Sequence, residues 1–186
     1  MIKKQILLTV FYFIFSIINA QSNKYFGSAI IQKGEYFVKL TSSNLYWTCN
    51  NDNTKVELKN SKGRAKIMFI PAGKGFYHIK FIKSDKYLTY NNQNLTKSKF
   101  NKKESQKFKI VRVAKSKFQF RTSNNFAINF FVKPIKIGKT TANSFGHQTK
   151  TGYLKLGNNK NQTFEIINAK TNIKLEWKFG HLLIGY

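Results

Sequence analysis

Three stretches of the chain alternate apolar and polar residues, break at a polar pair, and alternate again. They begin at Tyr36 ("YFVKLTSSNLYWTCNN"), Tyr77 ("YHIKFIKSDKYLTYNN") and Phe118 ("FQFRTSNNFAINFF"), and successive starts lie 41 residues apart. Val38, Ile79 and Phe120 agree in kind. The polar breaks follow at Ser43-Asn44, Ser84-Asp85 and Ser123-Asn124, then Trp47, Leu88 and Ile128 agree, with Cys49, Tyr90 and Phe130 two residues further on. A period of two on either side of a polar turn predicts a β-hairpin in each unit.

The unit ends repeat as well, as Ala65–Phe69 ("AKIMF"), Gln106–Ile110 ("QKFKI") and Gln162–Ile166 ("QTFEI"). The first two are 41 residues apart and the last two 56, so the third unit carries about fifteen extra residues, which lie between Phe131 and Asn161. The two prolines, Pro71 and Pro134, fall where units or strands should break. Before the units, Lys3 and Lys4 precede an apolar run from Ile6 to Ile18 and a small residue at Ala20. That is the pattern of a secretory signal; the run is short for a membrane anchor and no stop-transfer cluster follows it. The expected organisation is a signal peptide over 1–20, one all-β domain over 21–168, and a C-terminal extension over 169–186. In that extension "IKLEWKF" alternates like a strand, and whether it pairs with the early "YFGSAII" segment is open.

Three units of about forty residues, each with roughly four short strands, resemble the β-trefoil. The Gln106-Lys107-Phe108 and Gln162-Thr163-Phe164 motifs resemble the Gln-x-Trp of ricin B-type lectin repeats, degenerate in the first unit to Ala65-Lys66-Ile67. "SDKYLTY" also resembles the fascin-type repeat, where a Gly/Asp turn precedes Tyr-Leu. The resemblance covers about Tyr36 to Ile167 and implies three hairpins around a pseudo-threefold axis. It makes Ile67, Phe108 and Phe164 a core layer, with Gln106 and Gln162 holding neighbouring backbone. It also implies a glycan-binding function. Ricin-type sites, however, use an Asp early in a repeat, and the corresponding positions are Thr48, Thr89 and Asn129, of which Asn129 is best suited to bonding a sugar hydroxyl.

Charge changes the picture. The chain of 186 residues has 33 Lys and Arg against 7 Asp and Glu, a net charge of +26. Only Arg64, Arg112 and Arg121 are arginines. An AT-rich coding bias accounts for Lys over Arg but not for the scarcity of acids, so a polyanionic partner is the physical reading. The lone Cys49 rules out an internal disulfide and reads as a small buried hydrophobe. His78, His147 and His181 are far apart in sequence, His78 on a strand and expected to face outward, and the acids show no close pairing. No metal-ligand cluster, phosphate loop or nucleophile motif is present in the sequence. No cofactor or catalysis is expected.

From Arg112 through Lys160 there is no acid, and the long third unit offers Lys133, Lys136, Lys139, Lys150, Lys155 and Lys160 as the candidate polyanion site. Heparin-binding growth factors share the trefoil and use their third repeat, which ranks this cluster first by analogy of fold. A secondary cluster holds Lys97, Lys99, Lys102, Lys103 and Lys107. The expected function is a secreted, non-enzymatic binder of acidic or sulfated glycans. The alternative is a basic, toxin-like protein that binds nucleic acid or anionic membrane.

Overall fold

The computed structural model describes residues 29–48, 56–132, 135–137, 140–142 and 152–176. The signal segment, Cys49, His147 and His181 lie outside the described residues. The first unit contains β1 (Tyr36–Leu40), β2 (Tyr46–Thr48), β3 (Glu57–Lys59) and β4 (Ile67–Gly73). The second contains β5 (Phe76–Phe81), β6 (Lys86–Asn91), β7 (Asn94–Ser98) and β8 (Phe108–Ala114). The third contains β9 (Lys117–Arg121), β10 (Ala127–Val132), β11 (Ile135–Ile137), β12 (Thr140–Ala142), β13 (Gly152–Gly157) and β14 (Phe164–Asn168). The third unit's extra length therefore falls between β10 and β13, and β11 and β12 pair within it as a separate ribbon.

Six strands close a ring. β1 pairs with β4, β4 with β5, β5 with β8, β8 with β9, β9 with β14, and β14 returns to β1. Closure removes the open edges that a lone hairpin would leave. The remaining hairpins, β2–β3, β6–β7 and β10–β13, meet one another: Val56 donates its N–H to the Leu95 carbonyl, Leu154 to that of Val56, and Leu156 to that of Gln93.

The core follows the units position by position. Val38, Ile79 and Phe120 are buried, as are Trp47, Leu88 and Ile128, and as are Ile67, Phe108 and Phe164. Trp47, Phe120 and Phe164 touch one another at centroid distances of 4.9 to 5.7 Å, within the range of favourable tilted and edge contacts. The polar breaks become turns, with Asp85 and Asn125 taking the positive φ that short polar side chains tolerate. The described part of the C-terminal segment folds back on β14: Leu175 donates its N–H to the Ile166 carbonyl and is buried in the core. At the other end Ala29 bonds Ile110, and the Ile31 N–H reaches the Tyr77 hydroxyl.

Candidate functional site

The positions where a ricin-type sugar site would sit turn inward. Thr48 is buried. Thr89 donates its hydroxyl to the Tyr87 carbonyl and lies 2.7 Å from the Ser98 hydroxyl. Asn129, which the sequence offered as a sugar ligand, is 2% exposed and donates Nδ2 to the Ala127 carbonyl. The correspondence to the ricin-type position misplaced this residue, because the whole start of β10, Ala127 to Asn129, is buried.

The glutamines of the repeated motif are clamps. Gln106 is fully buried; its Nε2 donates toward Thr89 Oγ1, Ser98 Oγ and the Lys99 carbonyl, and its Oε1 accepts from the Asn101 N–H at 2.9 Å. Gln162 brackets Phe130, accepting from its N–H and donating to its carbonyl. Gln162 thus satisfies both backbone groups of Phe130, and Gln106 satisfies the Lys99 carbonyl and the Asn101 N–H just beyond β7.

His78 contradicts its expected exposure. It is only 7% exposed, its Nδ1 lies 3.0 Å from the Gln106 carbonyl oxygen, and its ring meets Phe100 edge-on at 4.9 Å. Its strand turns it away from its neighbours Tyr77 and Ile79, as alternation requires, but the segment held by Gln106 covers it.

The secondary lysine cluster also changes. Lys97 is 4% exposed with its Nζ 5.8 Å from the Phe81 ring centroid. It pairs across from Leu88, as Leu58 does from Trp47 and Leu156 from Ile128, so it occupies a core position that the other two units fill with leucine. Lys99, Lys102 and Lys103 are exposed, while Lys107 is ion-paired to Glu104.

In the primary cluster, Lys133, Lys139 and Lys150 lie outside the described residues, and Lys136 is on β11. Lys155 is not on the inserted loop. It is on β13, opposite Asn129 and Asn94, with its Nζ 5.5 Å from the Tyr153 ring centroid. Lys160 is exposed, and its carbonyl accepts from Gln119 Nε2.

Sequence reading missed a third basic region. A cleft of about 430 Å³ is lined by Lys59, Lys62, Arg64, Lys66 and Lys83, with Gly63, Ala65 and Ile82 and no carboxylate. A second cleft of about 440 Å³ is lined by Lys33, Gly34, Glu35, Lys66, Asn168 and Lys170. Lys66 lines both. The signal was present in "KNSKGRAK", residues 59–66, which has four cations and no acid, but Lys83, Lys33 and Lys170 join it only through folding. The backbone around the first cleft is fixed: Ala65 bonds the Trp47 carbonyl, and Ile82 bonds that of Lys66. The Arg64 guanidinium lies 4.0 Å over the Phe37 ring and donates to Asn172 Oδ1.

Among the described residues every acidic side chain is already ion-paired to lysine. Glu35 meets Lys66, Glu57 meets Lys59, Asp85 meets Lys80, Glu104 meets Lys107, Glu176 meets Lys115, and Glu165 meets both Lys39 and Lys174. No group of three potential metal ligands occurs among the described residues.

A closed six-stranded ring with three associated hairpins, built from three units, defines a β-trefoil protein. No family model matches the chain, and no curated protein matches it either. Solved structures do. A designed threefold-symmetric protein, ThreeFoil, aligns with TM-score 0.55 and 14% identity over 73% of this chain and 99% of its own. The protein Cry35Ab1 aligns with TM-score 0.56 and 16% identity over 84% of this chain but 40% of its own. An endo-β-galactosidase from Clostridium perfringens that releases GlcNAcα1-4Gal aligns with TM-score 0.55 and 16% identity over 73% of this chain and 32% of its own. This chain thus corresponds to less than half the length of the latter two, and the likeness is one of fold.

Proposed function

We propose that the protein is a secreted, non-enzymatic glycan-binding β-trefoil with a preference for acidic or sulfated glycans. The observation that carries this reading is the charge arrangement. Every described carboxylate is engaged by lysine, while lysines such as Lys62, Lys83, Lys99, Lys102, Lys103 and Lys160 are exposed. A surface of one sign gathers polyanions and releases their counterions on binding. The inward-turned Thr48 and Asn129, and the internally bonded Thr89, argue against a neutral galactose site at the ricin-type positions. The galactosidase among the structural neighbours acts on a glycan, which supports a carbohydrate partner for this chain. Secretion follows from the signal-like segment ahead of Gln21.

The test is a glycan array of sulfated, carboxylated and neutral saccharides, read at low and high salt. Binding concentrated on sulfated glycans and lost at high salt supports the reading. Salt-resistant binding to neutral galactosides sinks it.

A further inference from the structure

We infer that the two clefts flanking Lys66 form one binding site for a linear sulfated polysaccharide, with Glu35 as an internal competitor for its central cation. This inference rests on the glycan reading above and assigns it a place. Each cleft, about 430 and 440 Å³, falls within the roughly 300–1,000 Å³ typical of ligand sites. Lys66 lines both, so a chain crossing it would meet Lys59, Lys62 and Lys83 on one side and Lys33 and Lys170 on the other. A single small anion would use one cleft; a polymer bearing repeated sulfates uses both.

Glu35 is the one carboxylate lining either cleft, and it sits 2.8 Å from the Lys66 ammonium. Glu57 lies outside the linings, 3.6 Å from Lys59. Both Lys66 and Glu35 are about half exposed, so water screens their pair and an incoming sulfate can replace the carboxylate. The Glu35 backbone is independently held, its carbonyl accepting from the Ala169 N–H, so the side chain can swing away without unfolding the wall.

The lining also separates glycan from nucleic acid. Single-stranded nucleic acids are held by aromatic platforms on which bases stack. Neither cleft has an aromatic side chain in its lining. The Phe37 and Tyr46 rings beside the first cleft lie 4.0 and 5.9 Å from the Arg64 guanidinium carbon. Lysine ammoniums beside backbone suit dispersed sulfates, which need charge and no stacking.

The experiment uses immobilised heparin, eluted with salt, with single-stranded DNA resin in parallel and circular dichroism as a folding control. Three triple variants are compared: Lys62→Gln/Lys66→Gln/Lys83→Gln, Lys99→Gln/Lys102→Gln/Lys103→Gln, and Lys133→Gln/Lys136→Gln/Lys139→Gln. Two single variants, Glu35→Gln and Glu104→Gln, remove the same charge at different places. The cleft triple should elute at the lowest salt, its slope of log K against log salt reduced by about one per lost contact. Glu35→Gln should elute above the parent and above Glu104→Gln. If the parent binds but the three triples lose equally, or either of the other two loses more, the cleft assignment is overturned and the glycan reading stands. Equal gains from Glu35→Gln and Glu104→Gln also overturn the cleft. If DNA is held as tightly as heparin with the same ranking of variants, the ligand class is wrong. A parent that passes through heparin at low salt overturns the glycan reading itself.

Discussion

Replacing Gln106 with leucine keeps its volume and removes its polar end. Its side-chain amide has two N–H hydrogens for three nearby acceptors, so about two donated bonds and one accepted bond are lost at any instant. At about 1 kcal/mol net for each hydrogen bond, the direct cost is about 3 kcal/mol. Thr89 and Ser98 keep their mutual bond at 2.7 Å, which offsets part of the loss. The Asn101 N–H and the Lys99 carbonyl lose their partner, which adds to it. Gln162 makes two bonds, both to Phe130, so Gln162→Leu should cost about 2 kcal/mol by the same reckoning. For a chain of this size 1 kcal/mol moves the melting temperature by about 2–4 °C, which puts Gln106→Leu about 6–12 °C below the parent and Gln162→Leu between them. Thermal and urea unfolding by circular dichroism give the ranking. Heparin elution at low temperature, where both variants are folded, should not change. A Gln106→Leu protein that melts with the parent, or above Gln162→Leu, refutes the clamp. One that melts normally but loses heparin makes Gln106 a ligand residue instead.

Phe108→Ala and Phe164→Ala each truncate a fully buried ring and should lower unfolding free energy by about 3–5 kcal/mol, read from denaturant midpoints. Gly152→Ala places a methyl where Phe130 ring carbons and the Phe131 carbonyl oxygen already stand, at 1.9 to 2.6 Å; overpacking should cost about 1–3 kcal/mol, seen as a shifted midpoint. Lys97→Met should leave heparin elution where it was, because Lys97 is buried, whereas Lys99→Met should lower the eluting salt slightly. Intact mass of the exported protein should correspond to a chain beginning near Gln21.

The trefoil was legible because one face of each strand is buried and the three units repeat that face at nearly constant spacing. Val38, Ile79 and Phe120 carry the signal by themselves, since a slip of one residue in any unit would expose its whole apolar set. Ring closure could not be read in the same way. The pairing of Leu40 with Phe164 joins residues from opposite ends of the domain, and no local pattern encodes it. Lys97 was legible in principle. It lies two residues after Leu95 and therefore shares its face, but its charge suggested solvent. His78 was readable only as far as its strand face; its cover comes from a segment 28 residues away in sequence.

The basic site was the least legible part, and the reason is physical. A run of lysines in sequence is a site only if the chain holds the ammoniums on one surface, and strand alternation sends successive side chains to opposite faces. Position in the element matters as well: Lys97 lies inside β7 and is buried, whereas Lys99, two residues on, lies past the end of the strand and is exposed. Conversely, Lys33, Lys66, Lys83 and Lys170 are scattered across the domain yet line two clefts that share a residue. Tyr36, pairing with both Ile67 and Asn168, draws together the start of β1, the start of β4 and the end of β14, and the Ile82 N–H on the Lys66 carbonyl adds the β5–β6 turn. The scarcity of acids then has a structural meaning. Each acid among the described residues is tied to a lysine, and the only carboxylate in those linings sits on the cation that both clefts share. At that position a single negative charge neutralises the shared cation and yields to a polymer carrying many.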